Sequence, residues 1–155
     1  MGKVADIAPI NAAGLRVAVV AARYNQAIVT QLVAGARAAW SAAGGVAEVL
    51  QVVYVPGAFE LPLAALALAK RGEVDALVAL GCVIRGDTAH FDFVAGECAR
   101  GVQQAMLATG VPISFGVLTT ENQAQAELRA APGPLNKGAE ALYTALAMAR
   151  LLKSL

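Results

Sequence analysis

The sequence predicts an α/β fold, a three-layer αβα sandwich around a four-stranded parallel sheet. Three observations carry that expectation. Four short runs rich in β-branched residues, Arg16–Ala21, Val49–Val55, Ala76–Ile84 and Ile113–Leu118, are apolar almost throughout, as strands buried on both faces require. Amphipathic stretches with helical spacing separate them. The 155 residues are also 58% apolar and only 15% charged, against about 25% charge in an ordinary soluble domain. So few charges leave much of the surface apolar, which is the expectation for a chain that associates with copies of itself.

Taken in order, an arm of some 14 residues precedes the first run, and 1–155 reads as a single domain. Val29, Leu32, Val33, Ala36 and Trp40 then share one helical face. Leu61 to Arg71 forms a short helix with Pro62 in its first turn, where proline is tolerated. Phe91, Val94, Cys98, Val102 and Ala105 line one face of a third helix. Thr120 with Gln123 gives a capping-box signal for a helix through Leu128. A last helix runs from about Lys137 to Lys153 with Leu142, Leu146 and Ala149 inward. Right-handed crossovers place these helices on both faces of the sheet, a flavodoxin-like arrangement.

Composition excludes several classes. Mean hydropathy is +0.61, yet the longest uncharged run, Gly101 to Thr120, contains Gln103, Gln104 and a Gly110-Val111-Pro112 break and makes no clean spanning helix. Met1 to Asn11 holds Asp6 and Pro9 without an apolar stretch, so a cytoplasmic protein without a secretory leader is expected. A net charge of +1 with no basic run argues against nucleic acid as a partner. Cys82 and Cys98 have no metal-site spacing and read as small buried residues.

Ligands of such sheets bind beyond the carboxyl ends of the strands. Here those ends run into Ala22-Arg23-Tyr24-Asn25, Pro56-Gly57-Ala58-Phe59-Glu60, Arg85-Gly86-Asp87-Thr88-Ala89-His90 and Thr119-Thr120-Glu121-Asn122, which gather most of the unusual polar chemistry on one edge. Neither GxGxxG nor GxxxxGK[ST] occurs, and Ala21 and Ala22 offer no carboxylate at the first strand end. The third loop is the most informative. Gly86 permits close backbone approach, Asp87 and Thr88 open a helix whose amides suit an anion, and His90, the single histidine, follows in its first turn. A plainer reading makes Thr88 a helix cap and His90 a surface residue.

Five strings in register resemble one family. Tyr24-Asn25, Val55-Pro56-Gly57-Ala58-Phe59-Glu60-Leu61-Pro62, Gly81-Cys82-Val83-Ile84-Arg85-Gly86-Asp87-Thr88-Ala89-His90-Phe91-Asp92, Phe115-Gly116-Val117-Leu118-Thr119-Thr120-Glu121-Asn122 and Asn136-Lys137-Gly138 look like 6,7-dimethyl-8-ribityllumazine synthases, without an evident gap from about Leu15 onward. The resemblance implies condensation of 5-amino-6-(D-ribitylamino)uracil with 3,4-dihydroxy-2-butanone 4-phosphate, the penultimate step of riboflavin synthesis, with no metal and no organic cofactor. It implies that Tyr24 stacks on the pyrimidine. Asn25, Gly57, Ala58, Phe59, Glu60, Cys82, Val83, Ile84 and Lys137 would hold the uracil and ribityl chain, with Phe115 reaching in from a neighbouring subunit. Gly86, Asp87 and Thr88 would bind phosphate with Arg129 as cation, His90 would donate a proton, and Glu140 would support proton transfer.

The same resemblance implies a homopentamer, or an assembly of pentamers, in which the arm from Val4 to Ile10 adds an edge strand to a neighbour's sheet. Between Arg129 and Asn136 the chain departs from shell-forming relatives by carrying Pro132-Gly133-Pro134, which favours an isolated pentamer or a modest assembly. Plainer roles stay open for several positions. Tyr24 and Phe59 could pack structurally, Glu60 could serve a helix N-terminus, and Lys137 with Glu140 could form a solvated ion pair. Glu121 and Asn122 could cap a helix or meet another subunit, and Arg23 and Arg85 read as structural or interface charges. A weakly catalytic carrier or scaffold that binds flavin is the alternative function.

Overall fold

The computed structural model describes residues 10–155. Along these the chain runs β1 (Val17–Ala22), α1 (Gln26–Ala42), β2 (Gln51–Val55), α2 (Leu61–Lys70), β3 (Ala76–Ile84), α3 (His90–Thr109), β4 (Ile113–Thr120), α4 (Gln123–Ala130) and α5 (Lys137–Ser154). Every strand pair is parallel and the order is β2-β1-β3-β4. The expected αβα sandwich is therefore the observed one. The expected arm strand from Val4 to Ile10 lies, apart from Ile10, outside the described residues.

Strand alternation distributes the apolar side chains between two cores. Val17, Val19 and Ala21 of β1, with Val78 and Leu80 of β3, pack against α1, α4 and α5. Ala18, Val20 and Ala22, with Leu77 and Ala79, pack against α2 and α3. The apolar helical faces read from the spacing are the buried ones: Val29, Leu32, Val33, Ala36 and Trp40 on α1, and Leu142, Leu146 and Ala149 on α5. Each fully buried leucine or valine among these contributes about 1.5–3 kcal/mol by leaving water.

The structure corrects four details. β2 is not buried on both faces: it is an edge strand, and along Gln51–Tyr54 it is half-buried or exposed. It also begins at Gln51, where its pairing with Ala18 of β1 begins, and Ala47–Val49 form a 3-10 turn instead. The capping box lies two residues later than expected. Thr120 is still paired with Ile84 in the sheet, so Asn122 is the N-cap, its Oδ1 accepting from the Gln125 amide at 3.0 Å, while Gln125 Oε1 accepts from the Glu121 amide at 3.0 Å. With that later start α4 continues to Ala130 rather than ending at Leu128.

Two local devices hold the helices and strands in register. Asn136, 3% exposed, caps α5 by accepting from the Ala139 amide at 3.0 Å. Its Nδ2 donates to the carbonyls of Ala130 at 2.6 Å, Ala131 at 3.3 Å and Gln31 at 3.2 Å. One carboxamide thereby ties the end of α4 and the start of α5 to α1. Two residues on, Gly138 is pressed onto α1 so closely that a Cβ would stand 1.9 Å from the Leu32 carbonyl oxygen.

At the amino ends of the strands, Asp75 accepts from the Arg16 amide at 2.7 Å and pairs with the Arg16 guanidinium at 3.1 Å and Lys153 Nζ at 3.2 Å. Burial alone would raise this carboxyl, but the Arg16 side chain and amide, with Lys153, overcome it and bring it down to about 2. The start of β1, the start of β3 and the end of α5 therefore meet on one carboxylate.

Gly138→Ala should force α5 off α1 and lower the unfolding free energy by about 1–3 kcal/mol in urea titrations at fixed protein concentration. The Asp75 pKa is depressed in the folded chain from an ordinary 3.8. Its stabilisation is therefore present above about pH 4 and is lost as pH falls towards about 2. Asp75→Asn should cost about 1–2 kcal/mol at pH 7, discounted for the exposed Arg16 and Lys153, and should flatten the loss of Tm between about pH 4 and pH 2.

Candidate active site

The chain leaving β1 stays bound to the end of β2, with the Arg23 amide donating to the Val55 carbonyl at 2.8 Å and the Tyr24 amide to the Pro56 carbonyl at 3.0 Å. Asn25 then turns left-handed at φ 56°, a conformation asparagine tolerates better than most residues. That turn lets its Nδ2 reach the Cys82 carbonyl at 2.8 Å while its own carbonyl accepts from the Ile28 and Val29 amides at the head of α1. β1 and β3 are thus fastened together where the strand order reverses, the place where ligands enter such sheets. Tyr24, just before the turn, is left 72% exposed.

The neighbouring strand ends supply the other predicted residues. After β2, Gly57 leads into a 3-10 turn over Ala58–Glu60 in which Ala58 is buried while Phe59 and Glu60 are exposed. At the end of β3, Cys82 is buried and Val83 and Ile84 are half-buried. Burial pushes the thiols of Cys82 and Cys98 up to about 11, so neither is a thiolate nucleophile at neutral pH. Residues 86–90 are exposed, and Thr88 Oγ1 accepts from the His90 amide at 3.4 Å as α3 begins. A Cβ at Gly86 would meet nothing of its own chain within 4 Å. Packing within the chain therefore gives no reason for a glycine there.

A second group lies along β4, whose outer edge carries no strand among the described residues. A cleft of about 320 Å³ is lined there by Phe115, Thr119, Arg129, Lys137, Glu140 and Thr144, among others. Lys137 Nζ pairs with Glu140 Oε2, three residues on along α5. Arg129 donates to the Gln125 carbonyl at 2.9 Å and makes no ion pair among the described residues. Among the described residues it is a cation without an anion. Thr144, which the sequence reading missed, bonds the Glu140 carbonyl at 3.0 Å. Its position four residues after Glu140 on one helix was the available signal.

The predicted residues are therefore brought together as two groups. Tyr24, Asn25, the segments 57–60 and 82–84, and the loop 86–90 stand at the strand ends; Phe115, Arg129, Lys137 and Glu140 line the cleft, and none of the first group does. Of the residues left open, Asn122 caps α4. Arg23 lies over the Tyr54 ring at 5.0 Å. Arg85 pairs with Asp92 and Glu121. Among the described residues no His, Cys, Asp or Glu side chains cluster as metal ligands would, and no helix is long and apolar enough to cross a membrane.

Known proteins match this chain along nearly its whole length. The family model described as 6,7-dimethyl-8-ribityllumazine synthase matches residues 14–153. A curated relative of that name from Thermus thermophilus is 49% identical over 146 residues, which is 94% of this chain and 93% of the relative. One from Edwardsiella ictaluri is 53% identical over 141 residues, 90% of each chain, and one from Halorhodospira halophila is 50% identical over 140 residues, again 90% of each. With a family-model match over residues 14–153 and relatives about half identical over at least 90% of each chain, the chain belongs to the 6,7-dimethyl-8-ribityllumazine synthase family.

Proposed function

We propose that this chain is a transferase that condenses 5-amino-6-(D-ribitylamino)uracil with 3,4-dihydroxy-2-butanone 4-phosphate to 6,7-dimethyl-8-ribityllumazine, releasing phosphate and water. The observation that carries the reading is the pairing of two incomplete groups. The strand ends present an exposed ring at Tyr24 and an exposed loop with Thr88 and His90, and the cleft presents an arginine with no carboxylate partner among the described residues. The second group completes the first when it comes from an adjacent copy, so the working unit is a homopentamer in the cytoplasm, isolated or in a modest assembly of pentamers.

Each residue then has a physical task. Tyr24 stacks on the pyrimidine, and the backbone of 57–60 and 82–84, with Asn25 holding it, presents hydrogen-bonding groups to the uracil and ribityl chain. The neighbour's Phe115 covers the ring, and its Lys137 and Glu140 face the ribityl chain and the reacting amine. Gly86 and Asp87 through their amides and Thr88 through its hydroxyl receive the phosphate, which the neighbour's Arg129 fork meets bidentately. Imine formation, phosphate elimination and ring closure each move protons near neutral pH, a task suited to the imidazole of His90. Holding both substrates in contact supplies the rest, since oriented reactants reach effective molarities of about 10⁵–10⁸ M.

A fluorometric assay mixing the two substrates tests the reading: lumazine fluorescence should rise well above the uncatalysed rate. Flavin binding without that rise would instead establish the carrier. His90→Ala should lower kcat by about 10²-fold without abolishing turnover, because positioning survives. Arg129→Ala should raise KM for the butanone phosphate by about 10- to 100-fold, the loss of a charge-assisted pair. Full activity of that variant at low butanone phosphate would remove Arg129 from the site.

A further inference from the structure

Arg85 stands immediately before the loop that carries Asp87, Thr88 and His90, yet its charge is already committed. Its Nη2 lies 3.1 Å from Asp92 Oδ1 and its Nε 2.9 Å from Glu121 Oε2. The guanidinium also stacks on Phe91, 4.2 Å from the ring centroid. Its backbone amide donates to the Thr120 carbonyl at 2.9 Å. One side chain therefore bridges from the residue before the loop to the first turn of α3 after it, and fixes both to the β4–α4 turn. Beyond this brace and the Thr88–His90 contact, the loop itself is exposed and holds little else.

The electrostatic consequence is as definite as the geometric one. Asp87, Asp92 and Glu121 place three carboxylates in and beside the loop, and uncompensated they would repel a phosphate dianion. Arg85 pairs with two of them, offsetting one of their two negative charges, and its Nε and Nη2 are taken up in doing so. This is why a nearby arginine does not replace Arg129, whose guanidinium makes no ion pair among the described residues. Further along, Gln125 joins the same network: its side chain accepts from the Glu121 amide and its carbonyl from Arg129.

We propose that Arg85 is a positioning residue for the phosphate-bearing substrate, holding the loop 86–90 in shape and offsetting part of the Asp92 and Glu121 charge beside it. The inference rests on the reading of that loop as the phosphate site. Arg85, Asp92 and Glu121 are all substantially exposed, and exposed ion pairs add little to stability. A purely structural role therefore predicts no selective kinetic effect.

The test compares native protein with Arg85→Met and Arg85→Lys by steady-state kinetics in each substrate and by calorimetric titration of inorganic phosphate. Arg85→Met should raise KM for the butanone phosphate and weaken inorganic phosphate binding by about tenfold or more, with KM for the ribitylaminouracil within about twofold and the phosphate defect shrinking at high salt. Arg85→Lys keeps the charge without the fork, and should recover part of the loss, leaving about a three- to fivefold defect in the phosphate terms alone. Unchanged phosphate terms in Arg85→Met, or an equal rise in both KM values, would overturn the proposal. Should Arg85→Met fail to fold, the lysine variant decides by the same criterion, a selective phosphate defect or none. A native chain that forms no lumazine overturns the reading of the preceding section instead, and the calorimetric arm keeps the two failures apart.

Discussion

A parallel sheet clothed by helices on both faces confines polar chemistry to its margins, above all to the rim where its strands end. Everything distinctive about this molecule follows from how that rim is held open and in register. The hydrogen bond from the Asn25 carboxamide to the Cys82 carbonyl is the fastening that matters most, because it joins the two central strands, β1 and β3, where the strand order reverses. Its geometry demands a left-handed residue with a short amide side chain. Tyr24 is projected from the rim by the same turn, so the ring's exposure and the strand junction are one structural fact.

Much of this arrangement is written in local pattern. Buried strands announce themselves as unbroken apolar runs, and the faces of α1 and α5 show a period that survives folding intact. The misjudged details are those decided by partners distant in sequence. β2 has the composition of a central strand, yet its place at the sheet edge depends on the crossover that follows it. Thr120 looks like a cap until Ile84 claims it for the sheet. Gly138 is legible as a motif glycine, but its reason, the Leu32 carbonyl, lies on α1 more than a hundred residues earlier. For the site, the residue types were legible and their grouping was not. Thr88 sits just past the end of β3 and Arg129 in the last turn of α4, and only the folded chain shows that Arg129 lines the cleft while Thr88 does not.

The scarcity of charge acquires a definite meaning once these groups are seen. Exposed apolar side chains include Tyr24, Phe59, Phe93 and Phe115, and two of those four belong to the strand ends and one to the cleft. A surface that is both apolar and chemically incomplete is suited to contact with its own copies. On the proposed reading, association covers the apolar area and assembles the site in the same event, so the chain gains nothing by carrying the charges that keep an isolated domain soluble.

The Asp75 cluster sits at the other end of the strands, and its distance from the rim has an evolutionary consequence. The junction of β1 and β3 at the rim is fastened by a neutral carboxamide bond, the far end by an ionic knot of Arg16, Asp75 and Lys153. Tolerance of acid, heat or salt can therefore be retuned at the far end by ordinary exchanges of charged residues, leaving the ligand-facing end untouched. On the proposed reading, this ionic cluster and the site's chemistry occupy opposite ends of one sheet, so a change of charge at the first makes no direct contact with the second.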